Sequence, residues 1–366
     1  MKKYFITLII IFILLPLNLI PQSKEDDEWT AFEDSTTGLY GFINSSGEIK
    51  IEPKFVGFML APKFSDIIVA MEENNEAYYL LKSGKLVGRD SLYIVDNCFD
   101  CESEGYIRFR DNRNNTVGMF NSEGKVVIPA EYNALSQIRN GLTVGLIGAE
   151  KKYFNNDSTD EHWGWTGGAQ YLLDKDNICL VRDFSSYFEL DFHSMIIENR
   201  PSKDSCKESF LGINNRYYTF INNDKLFEAW LKKIFLNNLN EKSIGENSYP
   251  HIIYWTEDND WVSRKSDDFL KDNCDLIKER ISQLTKDSVE FFISNENFVI
   301  TPPGLEGEFD KYLDNCGNLK TTQYPLLDVV INHKTKNDSY QDHFEFLKTE
   351  IGFKLLLVTI RNGNLK

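Results

Sequence analysis

Residues 38–55 read GLYGFINSSGEIKIEPKF, and residues 117–132 read VGMFNSEGKVVIPAEY. The two stretches align with Gly41 on Gly118, Phe42-Ile43-Asn44 on Met119-Phe120-Asn121, Gly47 on Gly124 and, after one gap, Pro53 on Pro129. Between them AYYLLKSGKLVGRDSLY, at 77–93, fits more loosely and puts Gly84 at the turn position. The turn glycines 47, 84 and 124 are therefore spaced by 37 and then 40 residues. A fourth, degenerate copy runs through 170–177. Each copy reads as a β-hairpin: a short apolar strand, an Asn/Ser/Gly turn in which Gly supplies the positive φ, and a second strand of β-branched residues. The proline after the second strand is expected to end the ladder, because it has no N–H to donate. A lone hairpin is marginal in water, so successive copies must stack to bury their aromatic faces.

The pattern resembles the WG repeat, also called the KWG repeat of Leptospira, a β-rich module of bacterial proteins. That motif runs tryptophan-glycine, an apolar pair, Asp or Asn, Gly, a β-branched run, Pro and an aromatic. The matching positions here are Tyr40-Gly41 through Pro53 and Phe55, and Val117-Gly118 through Pro129 and Tyr132. No copy keeps the tryptophan; Tyr40, Tyr78 and Val117 stand near its place. The resemblance covers about 38–145 and implies an interaction scaffold, with no catalytic residues to transfer.

Composition bounds the rest. Hydrophobic residues make up 42% and aromatics 13%, which excludes a disordered chain. Lys plus Arg is 40 against 56 Asp plus Glu, a net charge of −16 that disfavours nucleic acid and anionic lipid as partners. The chain opens with Met1-Lys2-Lys3, an apolar run from Tyr4 to Ile20 broken by Pro16, and then Pro21-Gln22-Ser23. That order reads as a signal peptide over 1–23, leaving no stable membrane span after cleavage. The expected location is outside the cytoplasm, periplasmic or secreted. All six cysteines (98, 101, 179, 206, 274 and 316) then lie where disulfides persist, and the sequence does not choose their pairing.

A polar stretch at 155–161 precedes His162-Trp163-Gly164-Trp165, and 178–181 and 184–192 are expected to continue the β array. The polar stretch at 199–205 reads as a linker. Beyond it Leu226, Phe227, Trp230, Leu231, Ile234 and Phe235 form a helical stripe behind the capping candidates Asn223 and Asp224. A second helix follows Ser266, with Leu270, Cys274, Ile277, Ile281 and Leu284 on one face. Strands are expected at 290–294, 298–301, 326–333, 344–348 and 353–360, the last two joined as a hairpin through Glu350-Ile351-Gly352. The fold class is thus a β-rich tandem-repeat array of stacked hairpins, propeller- or solenoid-like, over 24–200. A separate α+β domain follows over 207–366, in an order that a cone-shaped fold of the nuclear-transport-factor or cystatin kind would fit.

Few constellations carry chemistry. Cys98-Phe99-Asp100-Cys101 has dithiol spacing, but Asp96, Asp100, Glu102 and Glu104 surround it and oppose a reactive thiolate. It reads as a structural disulfide or loop thiols. Zinc would need a second close ligand pair, so no metal is expected. His333 shares a strand face with Leu327, Val329 and Ile331 and reads as packed. Asp328 and Asn332 take the other face, where His343 could join them around a pocket with a general base. Asp174-Lys175-Asp176-Asn177 and Glu257-Asp258-Asn259-Asp260 lack the Gly and distal Glu of a calcium loop and read as solvated tips. Trp163 and Trp165 are candidates for an aromatic surface that holds a sugar or peptide, against a plain role in the core. The binding candidates are therefore Trp163, Trp165, Asp328, Asn332 and His343, with no catalytic residue and no cofactor. The leading expectation is an exported, non-catalytic scaffold for a protein or cell-envelope partner. The alternative is a small-ligand receptor or enzyme with a pocket in the C-terminal part.

Overall fold

The turns at Gly47, Gly84 and Gly124 are built alike. The three glycines take φ of +79°, +82° and +68°. Each donates its N–H three residues back, to the carbonyls of Asn44, Leu81 and Asn121, at 2.9, 2.8 and 2.8 Å. Those residues in turn donate to the carbonyls of Glu48, Lys85 and Lys125, each at 3.0 Å. The result is a type I turn closed by a left-handed residue, a hairpin connection that glycine adopts without steric cost. Where the first residue is Asn or Asp, its Oδ1 also accepts two backbone N–H groups. Asn44 takes those of Ser46 and Glu48, Asn121 those of Glu123 and Lys125, and Asp174 those of Asp176 and Ile178. Asn177 (φ +66°) and Asn215 (φ +59°) occupy the glycine's place in two further copies. No atom lies within 4 Å of a Cβ built on Gly47. Gly47→Ala should therefore cost only the backbone term, about 1 kcal/mol in urea unfolding, and Gly47→Asn distinctly less.

The structure is a computed structural model that describes residues 28–58, 60–95, 98–153, 162–185, 188–256, 260–286, 288–296, 299–334, 339–363 and 365–366. The expected signal peptide at 1–23, the stretch at 155–161 and residues 257–259 lie outside the described residues. The chain is strand-rich, built of small, mostly antiparallel sheets, none of which closes into a barrel among the described residues. No helix among the described residues is long and apolar enough to cross a membrane.

The hairpins extend into meanders. Trp29–Glu33, Tyr40–Ile43 and Ile49–Phe55 form the first, with Lys63–Phe64 added at its edge. Ile67–Met71, Ala77–Leu81 and Leu86–Val87 form the second, and Tyr106–Asp111, Thr116–Asn121 and Val126–Tyr132 the third. Ala134–Leu135, Leu142–Tyr153, Trp163–Asp174 and Cys179–Arg182 form the fourth. Neighbouring sheets pack face to face, and the period-2 alternation of strands decides which residue faces which neighbour. Ile68, Ala70, Tyr78 and Leu80 of the second sheet join Phe42, Phe55 and Phe64 of the first. The intervening Ile67, Val69, Tyr79 and Leu81 join Ile107, Phe109 and Phe120 of the third. Val117, Met119 and Ile128 then meet Leu173 of the fourth. Its Leu142, Val144, Leu172 and Val181 meet Phe192, Tyr218 and Phe220 of a fifth sheet.

That fifth sheet, in the order Leu190–Glu198, Tyr217–Asn222, Lys207–Leu211, spans the stretch read from sequence as a linker. The polar run at 199–205 is a connection inside a sheet. Its turn at 212–216 repeats the turn geometry, with Gly212 donating to Arg216 O at 2.7 Å and Asn215 to Gly212 O at 3.0 Å.

One sequence expectation reverses. Pro53 and Pro129 do not end their strands, which run on to Phe55 and Tyr132. Tyr40 pairs with Phe55 but Phe42 with Ile51, and Val117 pairs with Tyr132 but Met119 with Ile128. Single glycines, Gly41 and Gly118, thus face three-residue bulges. Each proline sits in its bulge, where no ladder N–H is required. A Cβ on Gly41 would lie 2.4 Å from Ile51 O and one on Gly118 2.7 Å from Ile128 O, so the glycine and the proline belong to one device.

The C-terminal part has a six-stranded sheet in the order Trp261–Lys265, Ser248–Trp255, Gly352–Thr359, Ser339–Thr349, Leu326–Lys334, Glu290–Glu296. Among the described residues three α-helices accompany it: α1 (Asn223–Trp230), α2 (Glu241–Glu246) and α3 (Ser266–Ser282). The expected stripes hold except at Ile234, which is exposed: Phe227, Leu231 and Phe235 pack with Leu270, Cys274, Ile277 and Ile281 on one sheet face. The cap of α1 is Asn222, one residue before the expected pair, and its side chain accepts from Lys225 N. Residues 299–301 form no strand; Val299 and Ile300 pack beside Leu305, Phe309 and Tyr312 over the other sheet face, ahead of Pro302-Pro303. Helices do not simply precede strands, because Ser248–Trp255 comes before α3 and pairs parallel with Gly352–Thr359. Ile252 and Ile253 are both fully buried, the continuous apolar run of a strand covered on two faces. The hairpin through 350–352 forms as expected, with Thr349 opposite Gly352.

Candidate functional site

The hairpin sheets and the C-terminal part are joined by a small set of polar contacts and one covalent bond. Cys101 and Cys316, 215 residues apart, form a disulfide, while Cys98, Cys179, Cys206 and Cys274 are free thiols. Cys98 and Cys101 are thus not a dithiol pair. Beside the disulfide, Lys63 N donates to Asn315 O at 3.2 Å and Asn315 Nδ2 to Ser65 Oγ at 3.0 Å. Farther along, Lys348 Nζ reaches Asp191 Oδ2 at 2.7 Å and Asn223 Oδ1 at 2.8 Å.

Between these two anchors lies a cleft of about 760 Å³. The sheets contribute Lys63, Lys82, Glu102, Glu104 and Arg139, and the C-terminal part Asp310, Lys311, Asp314 and Lys320. Several of these groups hold backbone in place. Glu102 accepts the N–H groups of Asp66, Ile67 and Gly105 at 2.9, 3.1 and 3.1 Å, and burial raises its pKa despite those bonds. Glu104 takes those of Asn140 and Gly141 at the start of the fourth meander. Asp314 closes one more turn of the repeat type, with Gly317 at φ +82°, and burial pushes its carboxyl up as well. Lys63 is shared between Glu28 (3.5 Å) and Asp310 (3.3 Å), and Lys82 lies 5.0 Å from the centre of the Trp29 ring. Burial lowers the Lys320 ammonium. No motif joins these residues in the sequence, because the cleft is assembled from segments far apart in the chain.

Of the three candidates in the C-terminal sheet, the structure joins two directly. His343 Nδ1 lies 2.6 Å from Asp328 Oδ2, and this hydrogen bond raises the imidazole pKa against the opposing effect of burial. Asn332 lies farther along the strand, where its Oδ1 accepts from Gln341 Nε2 at 2.9 Å. With His343 it lines a second cleft, of about 770 Å³, at the end of the sheet. His333 is packed, stacked on Tyr340 with ring centres 4.6 Å apart and 2.8 Å from the fully buried Asp342. Glu345, opposite Asp328 in the ladder, was not anticipated. Burial, and then the charges of Asp328 and Glu296, push its carboxyl up to about 8.

This shift has a measurable consequence. Raised from an ordinary 4.5 to about 8, Glu345 keeps a proton in the folded state that the unfolded chain has lost. The stability it contributes is complete below the lower value and disappears as pH rises through the upper one. Glu345→Gln should therefore flatten the fall in urea midpoint between about pH 5 and pH 8.5, leaving the variant the more stable protein at the alkaline end.

Trp163 and Trp165 lie on the outer part of the long hairpin Leu142–Tyr153/Trp163–Asp174, in register with Tyr153 and Lys151. Their rings meet edge to face at 5.2 Å, with Lys151 Nζ 4.0 Å from the Trp163 ring centre. Both are half-buried and neither enters one of the core clusters among the described residues. The acidic tip at 174–177 is a hairpin turn, with Asp174 engaged by backbone. Among the described residues the one trio of ligand atoms close enough to share a metal ion is Cys101, Asp314 and Cys316, and its two sulfurs are in the disulfide.

Residues 40–57 and 118–144 match the family model of the WG containing repeat. The matched segments cover most of the last two strands of the first and third meanders, with the Gly–Pro bulge and the glycine turn, and the second runs on into the start of the fourth. The chain carries WG repeats. No curated protein and no solved structure matches it.

Proposed function

We propose that this is an exported, non-catalytic binding protein. Its WG-repeat sheets, stacked as an open propeller- or solenoid-like array, and a separate α+β domain present the cleft between them to a polar partner of the cell envelope. The observation that carries this reading is the cleft itself, lined by Lys63, Lys82 and Arg139 on one wall and Lys311 and Lys320 on the other. Glu28, Asp66, Glu102, Glu104, Asp310 and Asp314 share the lining, so the cleft offers a polar partner both signs of charge, at a junction of the kind where ligands commonly bind. The Cys101–Cys316 bond supports export, since disulfides persist in oxidising compartments. A photo-crosslinking amino acid placed at Arg139 in the native host should yield a specific adduct, and one at the exposed Ile178 should not. Identical adduct patterns at both positions, or none in envelope and soluble fractions, would refute the reading.

A second reading, a small-ligand receptor in the C-terminal sheet, is favoured by the hydrogen bond between His343 and the buried Asp328. A thermal-shift screen of the full protein and its Asp328→Ala variant tests it. Hits shared equally by both proteins count against it.

A further inference from the structure

The cleft at the end of the C-terminal sheet differs in charge from the rest of this acidic chain. Its lining holds one carboxylate, Glu290, and that group is taken by Lys334 at 2.7 Å. Arg361 and His343 line it too. Arg361 stands two positions beyond Thr359, the residue paired with His343 in the ladder, so adjoining segments bring both side chains to one cavity. The Arg361 backbone N–H donates to Asp342 Oδ1 at 2.9 Å, but its guanidinium has no partner among the described residues. His343 is anchored at one nitrogen: Nδ1 is committed to the buried Asp328 at 2.6 Å, which leaves Nε2 for the cleft. That bond favours the charged ring, on which Nε2 is a donor. The acids around the ring, Asp328, Glu345, Glu296 and Asp342, do not line the cleft. Asp342 is met by His333 at 2.8 Å and Arg280 at 3.5 Å, and burial keeps Glu345 protonated at neutral pH.

We propose that this cleft binds a small hydroxylated carboxylate of the sugar-acid class, its carboxylate held by the Arg361 guanidinium and His343 Nε2. This deepens the receptor reading and rests on it. Charge selects the anion. With Glu290 spent on Lys334 and His343 balanced by Asp328, the positive charge of Arg361 is the one left uncompensated in the lining. A carboxylate matches it with a single negative charge. A phosphate dianion exceeds it, and the acids on the far side of His343 oppose the surplus. The guanidinium fork also fits the two oxygens of one carboxylate. Polarity selects the rest of the ligand. Asn332, Gln341 and Asn362 line the cavity with amides, which suit hydroxyl groups better than an alkyl chain. The bond from Gln341 Nε2 to Asn332 Oδ1 leaves Gln341 Oε1 and Asn332 Nδ2 for those hydroxyls. About 770 Å³ is ample for one sugar ring.

The test is calorimetric titration of the full protein at pH 7 with sodium glucuronate, glucose and inorganic phosphate. Glucuronate is expected to bind. Glucose, which lacks the charge, should bind at least about tenfold more weakly, and phosphate should also fall below glucuronate. His343→Gln should weaken glucuronate more than about tenfold. Arg361→Gln should do the same, and because Arg361 is exposed this variant keeps the wild-type thermal midpoint when free. No binding of glucuronate, equal binding of glucose, tighter binding of phosphate, or an unchanged affinity in Arg361→Gln would each overturn the proposal. If glucuronate fails while thermal-shift hits still depend on Asp328, the carboxylate assignment falls and the receptor reading stands.

Discussion

Serine at both Cys101 and Cys316 is expected to lower stability by about 2–4 kcal/mol, the largest effect of any paired substitution considered for this chain. The bond closes a loop with a sequence separation of 215, so in the chain-entropy view it removes much of the freedom of the unfolded state. The native contacts around it do not compensate for its loss. Near Cys316 they include two hydrogen bonds through Asn315, a partly exposed ion pair from Lys63 to Asp310 and the packing of Cys316 itself on the core of the first two sheets. Ion pairs of that exposure contribute little. Thermal unfolding with and without a reductant checks the prediction: the wild type should lose several degrees on reduction, and the double serine variant should be indifferent to it. A wild-type midpoint that ignores reduction would show that the sheets and the C-terminal part hold together without the bond.

Lys348→Met should cost about 3 kcal/mol, for a different reason. The Lys348 side chain is 14% exposed and that of Asp191 is 10% exposed. Its ammonium is shared between Asp191 of the fifth sheet and Asn223 at the start of α1. Removing it leaves a nearly buried carboxylate whose other oxygen accepts the His193 N–H, and stranding a charge is costlier than removing a pair. Asp191→Asn in the Lys348→Met background should recover part of the loss, since it removes the charge and keeps the shape. Equilibrium unfolding in urea of the two variants measures both numbers. If the double variant is as unstable as the single one, the cost lies in packing of the lysine stem.

The sequence announces what local geometry requires and conceals what depends on distant partners. Gly47, Gly84 and Gly124 were legible because a left-handed turn residue leaves few choices of amino acid. The proline was visible but misread: its meaning depends on the glycine facing it across the ladder, and pairing register is not written in one strand. Asn215 is less conspicuous because Asn adopts the same φ without glycine's signature, so the hairpin that follows the polar run at 199–205 is not marked in the sequence. At the candidate site, alternation along the Leu326–Lys334 strand put Asp328 opposite the core face. Nothing in the sequence marks Glu345, between Phe344 and Phe346, since only the ladder brings it beside Asp328. The pairing of Cys101 with Cys316 was beyond reach for the same reason.

The middle sheets have one more property. Residues 67–70 put Ile67 and Val69 into one core and Ile68 and Ala70 into the next. A strand that serves two cores cannot be lost from one without being lost from the other. The second and third meanders therefore have no internal seam at which melting could halt. A protease cut or a shortened gene that removed one of them would bare greasy faces on both sides.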